Sequence, residues 1–122
     1  MILFGTTAFM HAQDAQDTDT KITLPKYPGG ETELYKFIYE SVQYPVDARK
    51  RGIQGTVFTS FMIDAEGKMQ DLQVVRGVDE ALDQEALRVI GVMKEKIVWI
   101  PGTSNGQHIA LPFHLPIRFK LD

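Results

Sequence analysis

The stretch that decides the fold is HIALPFHLPIRFKL, which runs from His108 to Leu121. Its odd-numbered residues are all apolar, whereas its even-numbered residues mostly are not. This alternation with a period of two residues predicts one long strand with a single buried face. Two even-numbered positions, Pro112 and Pro116, hold prolines, which cannot donate a hydrogen bond to a sheet ladder. The strand therefore carries a defect that its position in the sheet must accommodate.

The shared parity of the two prolines predicts how this strand is oriented. Backbone groups of alternate residues point to the same lateral side of a strand, so the prolines remove two donors from one edge only. The odd-numbered residues are then expected to pair with a neighbouring strand, and the even-numbered edge to lie at the outside of the sheet. Outward N–H groups remain on Ala110, His114 and Arg118. Such an edge either protects against aggregation or receives a guest strand.

Upstream, the pattern predicts two helices and then a hairpin. Apolar residues recur at helical spacing over Glu31–Val42, which we interpret as a helix. A short helix follows, with Pro45 at its first position and Gly52 as its left-handed cap. The next segment predicts two strands joined by the turn Asp64–Gly67. Its predicted inward residues are Val57, Thr59, Phe61 and Ile63 in the first strand and Leu72 and Val74 in the second.

A longer helix is predicted between the hairpin and the final strand. One helical face collects apolar residues, and acidic residues lie near its start. The face comprises Leu82, Ala86, Val89 or Ile90, Met93 and Ile97. The segment WIPGTSNGQ is expected to end this helix and to lead into the final strand. The predicted fold class is α+β, in which a small antiparallel sheet (strand-strand-helix-strand) packs on one helix and is preceded by a helix and a short helix.

Composition limits the classes of function. The 122 residues are 43 % hydrophobic and 24 % charged, which is ordinary for one globular domain. The net charge of −3 argues against nucleic acid as a partner. The chain has no cysteine, which excludes disulfides, zinc–thiolate sites and cysteine nucleophiles.

The N-terminal residues divide into three expected regions. Residues 1–12 hold a short apolar run that resembles a truncated signal peptide, with Ala12 as the best cleavage position. Residues 13–26 are predicted to be a flexible leader, and residues 27–122 the folded domain. The apolar run is too short to span a bilayer, which needs about 20 residues. We therefore expect an exported chain without a transmembrane segment.

The side chains that could act in catalysis or metal binding do not form a pattern that indicates an enzyme. His108 and His114 lie on one face of the predicted strand but about 20 Å apart at 3.4 Å per residue, so they cannot chelate one metal without further ligands. The acidic residues near the hairpin are either turn and surface residues or a calcium or acid–base site, with the first interpretation favoured. Arg49–Arg51 complements a helix C-terminus or forms a binding patch. Trp99 is either core or a ligand platform. No catalytic residue, metal site or cofactor is predicted, and a small hydrolase is disfavoured.

Several segments together resemble a known family. In order along the chain they are YPGGETELYKFI, YPVDARKRGIQGTVFTSFMIDAEGKMQDLQVVRG, LDQEALRVI, WIPGTSNGQ and LPIRFKL. In this order and spacing they resemble the C-terminal domain of the TonB family, in the form with an extra N-terminal helix that is common in Bacteroidetes. The resemblance covers about residues 27–121.

The resemblance implies a binding function and a site. Members of the family bind the TonB box, an extended segment of TonB-dependent outer-membrane receptors, alongside their last strand and support energy-dependent transport. Carried to this sequence, the peptide-binding edge would comprise His108, Ala110, Pro112, His114, Pro116 and Arg118. Tyr44, Pro45 and Gln54 would be further receptor contacts.

The resemblance also implies a periplasmic location. The sequence lacks the membrane anchor and the long proline-rich span of TonB, which implies either a fragment or a stand-alone TonB-like domain. An alternative of a different class remains open. The last strand could pair with another copy of the chain, giving a homodimer that serves as a structural or signalling module of the envelope without energy transduction.

Overall fold

The computed structural model describes residues 20–122. The predicted signal peptide and residues 13–19 of the predicted leader lie outside this range. The elements follow in the order β1 (Ile22–Thr23), α1 (Glu31–Ser41), α2 (Val46–Lys50), β2 (Gly55–Ile63), β3 (Met69–Arg76), α3 (Glu80–Lys96), β4 (Gly102–Ser104), β5 (Gln107–Ile109) and β6 (Leu111–Phe119). The α+β class and the main order of the predicted elements are confirmed.

The main sheet has three antiparallel strands in the order β3-β2-β6. The four predicted inward residues of β2 are all buried, because alternate side chains of a strand point to the same face. In β3, Leu72 and Val74 are half-buried against the same core. The pairing of β3 with β2 shifts register between Phe58 and Thr59 and again between Ser60 and Met62, and Asp71, near the second shift, has a φ of 55°. These irregularities mark β-bulges at this edge of the sheet.

Helices cover the buried face of the sheet. The predicted apolar face of α3 packs on β2 and β3, and its buried residues are Leu82, Ala86, Val89, Ile90 and Met93. Asp79 caps this helix by accepting a hydrogen bond from the Ala81 N–H at 3.0 Å. Helix α1 contributes the buried Leu34 and Ile38 to the same core. The sheet therefore has a helix-covered face and an outer face.

The short helix α2 ends as predicted but begins one residue later. Gly52 has a φ of 69°, and its N–H donates to the Arg49 carbonyl at 3.1 Å. The Ile53 N–H donates to the Ala48 carbonyl at 2.9 Å, which completes a Schellman motif. Pro45 has extended backbone angles and is the N-cap rather than the first helical residue. Proline fits there because an N-cap contributes no N–H to the helix.

The predicted final strand is divided. Residues 107–109 form β5, which pairs with β4 in a hairpin, and only residues 111–119 form β6. The hairpin turns at Asn105 and Gly106, whose φ angles of 51° and 86° are the positive pair that a two-residue type I′ turn requires. The prediction of one continuous strand was wrong at Ala110, because the first part of the segment pairs with a different neighbour.

A second small sheet carries the chain further toward the N-terminus than the predicted domain boundary. Its order is β1-β4-β5, with Thr23 opposite Thr103. Lys26 and Ile100 exchange two backbone hydrogen bonds of 2.9 Å. Ile22, Thr23 and Lys26, which the sequence assigns to the leader, therefore pair with the rest of the domain.

Candidate functional site

Strand β6 lies at the edge of the main sheet, with β2 as its neighbour. The pairing is regular over nine residues of each strand, from Leu111 opposite Ile63 to Phe119 opposite Gly55. In this register Pro112 lies opposite Met62 and Pro116 opposite Phe58. Both prolines occur in the edge strand, where their missing donors are tolerated.

The edge position of β6 agrees with the predicted orientation. Opposed residues in an antiparallel ladder alternate between hydrogen-bonded and non-hydrogen-bonded pairs. Proline has no N–H, so the even-numbered positions must be the non-hydrogen-bonded ones. Their backbone groups consequently point away from β2. Within β6 the outward edge carries N–H donors on His114 and Arg118 and carbonyl acceptors on all four even-numbered residues.

The odd-numbered residues hold β6 in place. Leu115, Ile117 and Phe119 are buried, and the Thr59 hydroxyl donates a further hydrogen bond to the Leu115 carbonyl at 2.7 Å. The Phe113 ring lies 4.7 Å from the ring of Trp99, measured between centroids. Trp99 is only 2 % exposed, so it belongs to the core and is not a surface platform. The strand thus offers a fixed backbone edge to solvent.

The C-terminal end of β6 brings two of the predicted receptor contacts together. Tyr44 packs edge-on against the ring of Phe119, with centroids 5.7 Å apart, and its hydroxyl donates to the Ile53 carbonyl. The Gln54 side-chain oxygen accepts a hydrogen bond from the Leu121 N–H at 2.7 Å. Both residues therefore position the end of the strand.

The remaining predicted site residues lie elsewhere. Pro45 is half-buried at the start of α2 and lines a separate cavity with Arg88. His108 belongs to β5 and lies opposite Thr103, and Ala110 links β5 to β6. The structure therefore places His108 and Ala110 beside the edge strand but not within it.

The outer face of the sheet adds residues that the sequence reasoning did not select. Phe58 and Val75 are 42 % and 60 % exposed, and together with His114 and Pro116 they line a cavity of about 420 Å³. The Arg76 guanidinium lies 5.8 Å from the centre of the Phe58 ring. The signal in the sequence was the apolar character of even-numbered β2 residues, which alternation assigns to the opposite face.

Titratable groups in the described residues serve local structure. Backbone N–H groups of Lys68 and Glu66 donate to the Asp64 carboxylate at 2.9 Å, and chiefly the Lys68 hydrogen bond lowers the pKa of Asp64. Asp64 and Glu66 are thus turn residues, whereas Asp71 lies within β3. Between residues 20 and 122, no group of three or more His, Asp or Glu side chains is arranged to hold a metal ion.

The basic run at the end of α2 also has a structural role. The Arg51 guanidinium forms ion pairs with the carboxylates of Asp47, at 2.6 Å, and of Asp79, at 3.0 Å. The hydrogen bond from Arg51 is the main cause of a lowered pKa of Asp79. This ion-pair network joins the end of α2 to the capped start of α3. Because these other candidate groups have structural roles, the edge of β6 is the candidate site.

Comparison with known proteins identifies the family. The family model for the Gram-negative bacterial TonB protein C-terminal matches residues 40–121, more than half of the chain. The chain belongs to the TonB C-terminal family. Its resemblance to TonB, inferred from sequence motifs, is thereby confirmed.

Two further comparisons agree with this assignment. Protein TonB of Vibrio cholerae serotype O1 is 42 % identical over 81 residues, which is 66 % of this chain but 32 % of that protein. The chain thus spans about a third of the length of this curated relative. Solution structures of the Helicobacter pylori TonB C-terminal domain match at 26 % identity over 75 % of this chain. Their TM-scores are 0.61 and 0.52, with 79 % and 95 % of those chains covered.

The TonB-like domain has two helices of more than two turns, α1 and α3. Across residues 20–122, neither these nor α2 combines the length and apolar character that crossing a membrane requires.

Proposed function

We propose that this TonB-family domain binds an extended segment of an outer-membrane TonB-dependent receptor, the TonB box, by adding it as a fourth strand beside β6. The observation that carries the proposal is the position of β6 at the sheet edge, with its even-numbered backbone groups directed away from β2. Strand addition needs such an edge, because backbone hydrogen bonds supply much of the affinity. No catalytic step is involved.

The proposed complex has a defined hydrogen-bonding pattern. A guest receives donors from His114 and Arg118 and offers its own N–H groups to the carbonyls of the even-numbered residues. Opposite Pro112 and Pro116 the guest carbonyls find no donor. A typical hydrogen bond contributes about 0.5–1.5 kcal/mol, so we expect weaker binding than on an edge without prolines. Tyr44 and Gln54 support the site by fixing the end of β6, and Pro45 remains a proposed receptor contact away from the edge.

The proposed location is the periplasm, where a TonB C-terminal domain meets outer-membrane receptors. Family membership supports this location and a role in energy-dependent transport. Export by a signal peptide and coupling to an energy source both involve segments outside the described residues, and both stay proposals.

A titration tests the proposal. Isotope-labelled protein receives a receptor-derived TonB-box peptide to millimolar concentration while backbone amide shifts are recorded by NMR. We expect the largest shifts at residues 111–119, centred on the His114 and Arg118 amides. The absence of any shift in β6 at millimolar peptide would overturn the proposal.

A matched pair of variants sharpens the test. The His114→Pro variant removes one outward donor and should weaken binding about threefold to tenfold. The His114→Thr variant removes the imidazole but keeps the N–H, and should bind as the unaltered protein does. If both variants bind equally weakly, the imidazole and not the strand edge would be responsible.

The alternative use of the edge is pairing with another copy of the chain. Sedimentation over a range of concentrations without peptide distinguishes it. We expect a monomer, and a dimer that the His114→Pro variant dissociates would support self-association instead.

A further inference from the structure

Two cavities follow β6 on the side that faces α1. The first has a volume of about 480 Å³ and brings Leu34 and Tyr35 of α1 next to Phe113 and His114. The second has a volume of about 340 Å³ and brings Tyr39 next to Arg118 and Phe119. From the first cavity to the second, the lining residues advance along helix α1 and along strand β6 in the same direction. We call the space between them, which is lined by these residues, the α1–β6 groove.

The cavities coincide with the intact donors of the edge. The first includes His114 and the second includes Arg118, the two even-numbered residues of β6 that retain an outward N–H. These residues are four positions apart, which is roughly 13 Å along a strand. A guest strand bonded to both donors would place alternate side chains toward α1 along the whole groove.

The wall opposite β6 is aromatic and exposed. Tyr35 and Tyr39 are 46 % and 84 % exposed and lie four residues apart, so they occupy neighbouring turns of one helix face. The buried Leu34 and Ile38 fix the rotation of α1 and hence the direction of this face. Apolar side chains that enter the groove would cover ring surface that is otherwise in contact with water.

The charge at one end of the groove favours an acidic guest. Arg118 and Lys120 line the second cavity, and in the described part of the chain neither forms an ion pair. Within residues 20–122 only Arg51, Lys68 and Arg88 form ion pairs, so Arg118 and Lys120 are distinguished by their place beside the β6 edge rather than by lacking a partner. A carboxylate of a bound segment would complement the two unpaired cations.

We propose that α1 is the second wall of the binding site and that Tyr35 and Tyr39 select the partner. The preferred partner is an extended peptide segment with apolar side chains at the alternate positions that face α1 and an acidic group near Arg118 and Lys120. This inference rests on the proposed strand addition at β6 and specifies which extended segments the edge accepts.

The test compares two peptides on several forms of the protein. The first probe is a capped peptide of alternating valine and threonine with a glutamate at each end, and the second has serine in place of every valine. The Tyr35→Ser/Tyr39→Ser variant removes the aromatic wall. The Lys36→Ser/Glu40→Ser variant is its control, because it makes two serine substitutions on α1 at exposed residues that line neither cavity and leaves the net charge unchanged.

We expect the unaltered protein to bind the valine peptide about tenfold more tightly than the serine peptide, as partial burial of a few apolar side chains produces. The tyrosine variant should lose this preference, and the control variant should keep it. Calorimetry gives the affinities, and NMR shifts show where each peptide binds.

Each other result has a defined meaning. Equal binding of both peptides at β6 would overturn the selection by α1 while leaving strand addition intact. A preference that survives in the tyrosine variant would likewise exclude the aromatic wall. If neither peptide nor a receptor-derived peptide shifts β6, strand addition itself fails and the selection fails with it.

Discussion

At the scale of single residues, the contact between Gly67 and Trp99 joins the hairpin to the core. The backbone N–H of Trp99 donates to the Gly67 carbonyl at 2.8 Å, and Gly67 is buried with a φ of 89°. A Cβ atom at this position would lie 2.1 Å from the Trp99 carbonyl oxygen. The turn and the tryptophan therefore approach so closely that only glycine fits between them.

This contact predicts a large cost for Gly67→Ala. Gly106 provides a matched control, because its φ is 86° and no atom lies within 4 Å of an added Cβ. Gly106→Ala should lower the free energy of unfolding by about 1 kcal/mol, the cost of a left-handed residue with a side chain. Gly67→Ala should cost at least about 2 kcal/mol more, since the backbone must also shift. Chemical denaturation measures both, and equal losses would show that the close approach is unimportant.

At the scale of elements, the parity of β6 separates two proline substitutions. Leu115→Pro removes an N–H that faces β2 and should cost about 3 kcal/mol or more, in addition to lost packing. His114→Pro removes an outward N–H, as Pro112 and Pro116 already do, and should cost less than about 1 kcal/mol. Thermal unfolding followed by circular dichroism measures the difference. A His114 variant as unstable as the Leu115 variant would mean that even-numbered residues face β2.

The same elements show what the sequence could predict. The alternation of apolar residues and the even-numbered positions of both prolines predict the orientation of β6. A strand has a period of two residues, so one set of alternate residues must face the core. Helical spacing was sufficient for α3. These patterns are local to one element, so no knowledge of the neighbours was needed.

Other elements depended on distant partners. Strand β1 has two residues and pairs with residues about 80 positions away, so it has no period to detect. The break at Ala110 was hidden because alternation continues through β5 and β6 although their neighbours differ. Asn105-Gly106 was a readable hairpin signal that was assigned to a connection. The proposed role of Tyr35 and Tyr39 could not be predicted from the sequence, because it depends on the position of α1 relative to β6.

At the scale of the whole molecule, acid should destabilise the fold. Asp64, Asp79 and Glu85 have lowered pKa values in the folded state. For Glu85, burial raises the pKa but is outweighed by hydrogen bonds from Arg88 and the Gln43 N–H. A group with a lowered folded pKa contributes stability above its unfolded pKa and loses it as the pH falls through the folded value.

We therefore expect unfolding free energy to fall below about pH 4, near the ordinary pKa of these carboxyl groups. Asp79→Asn keeps a capping side chain but removes the charge that pairs with Arg51, and should flatten this decline. Glu40→Gln changes an exposed residue that forms no ion pair within residues 20–122, and it should leave the profile unchanged. Denaturant titrations from pH 2 to pH 7 measure the profiles, and an unaltered slope for Asp79→Asn would contradict the assignment.

The two edges of β6 differ, so the proposed complex has a stronger contact between β6 and β2 and a weaker one between β6 and the guest strand. On one side β6 is held by an uninterrupted nine-residue ladder and a buried row of side chains, and on the other a guest meets two N–H donors and four carbonyl acceptors. A pull along the guest loads both sides in shear, and the side with fewer bonds yields first. A receptor segment under tension would therefore slip from the domain while the domain stays folded, so each pull would end in release of the partner and leave the domain ready to bind again.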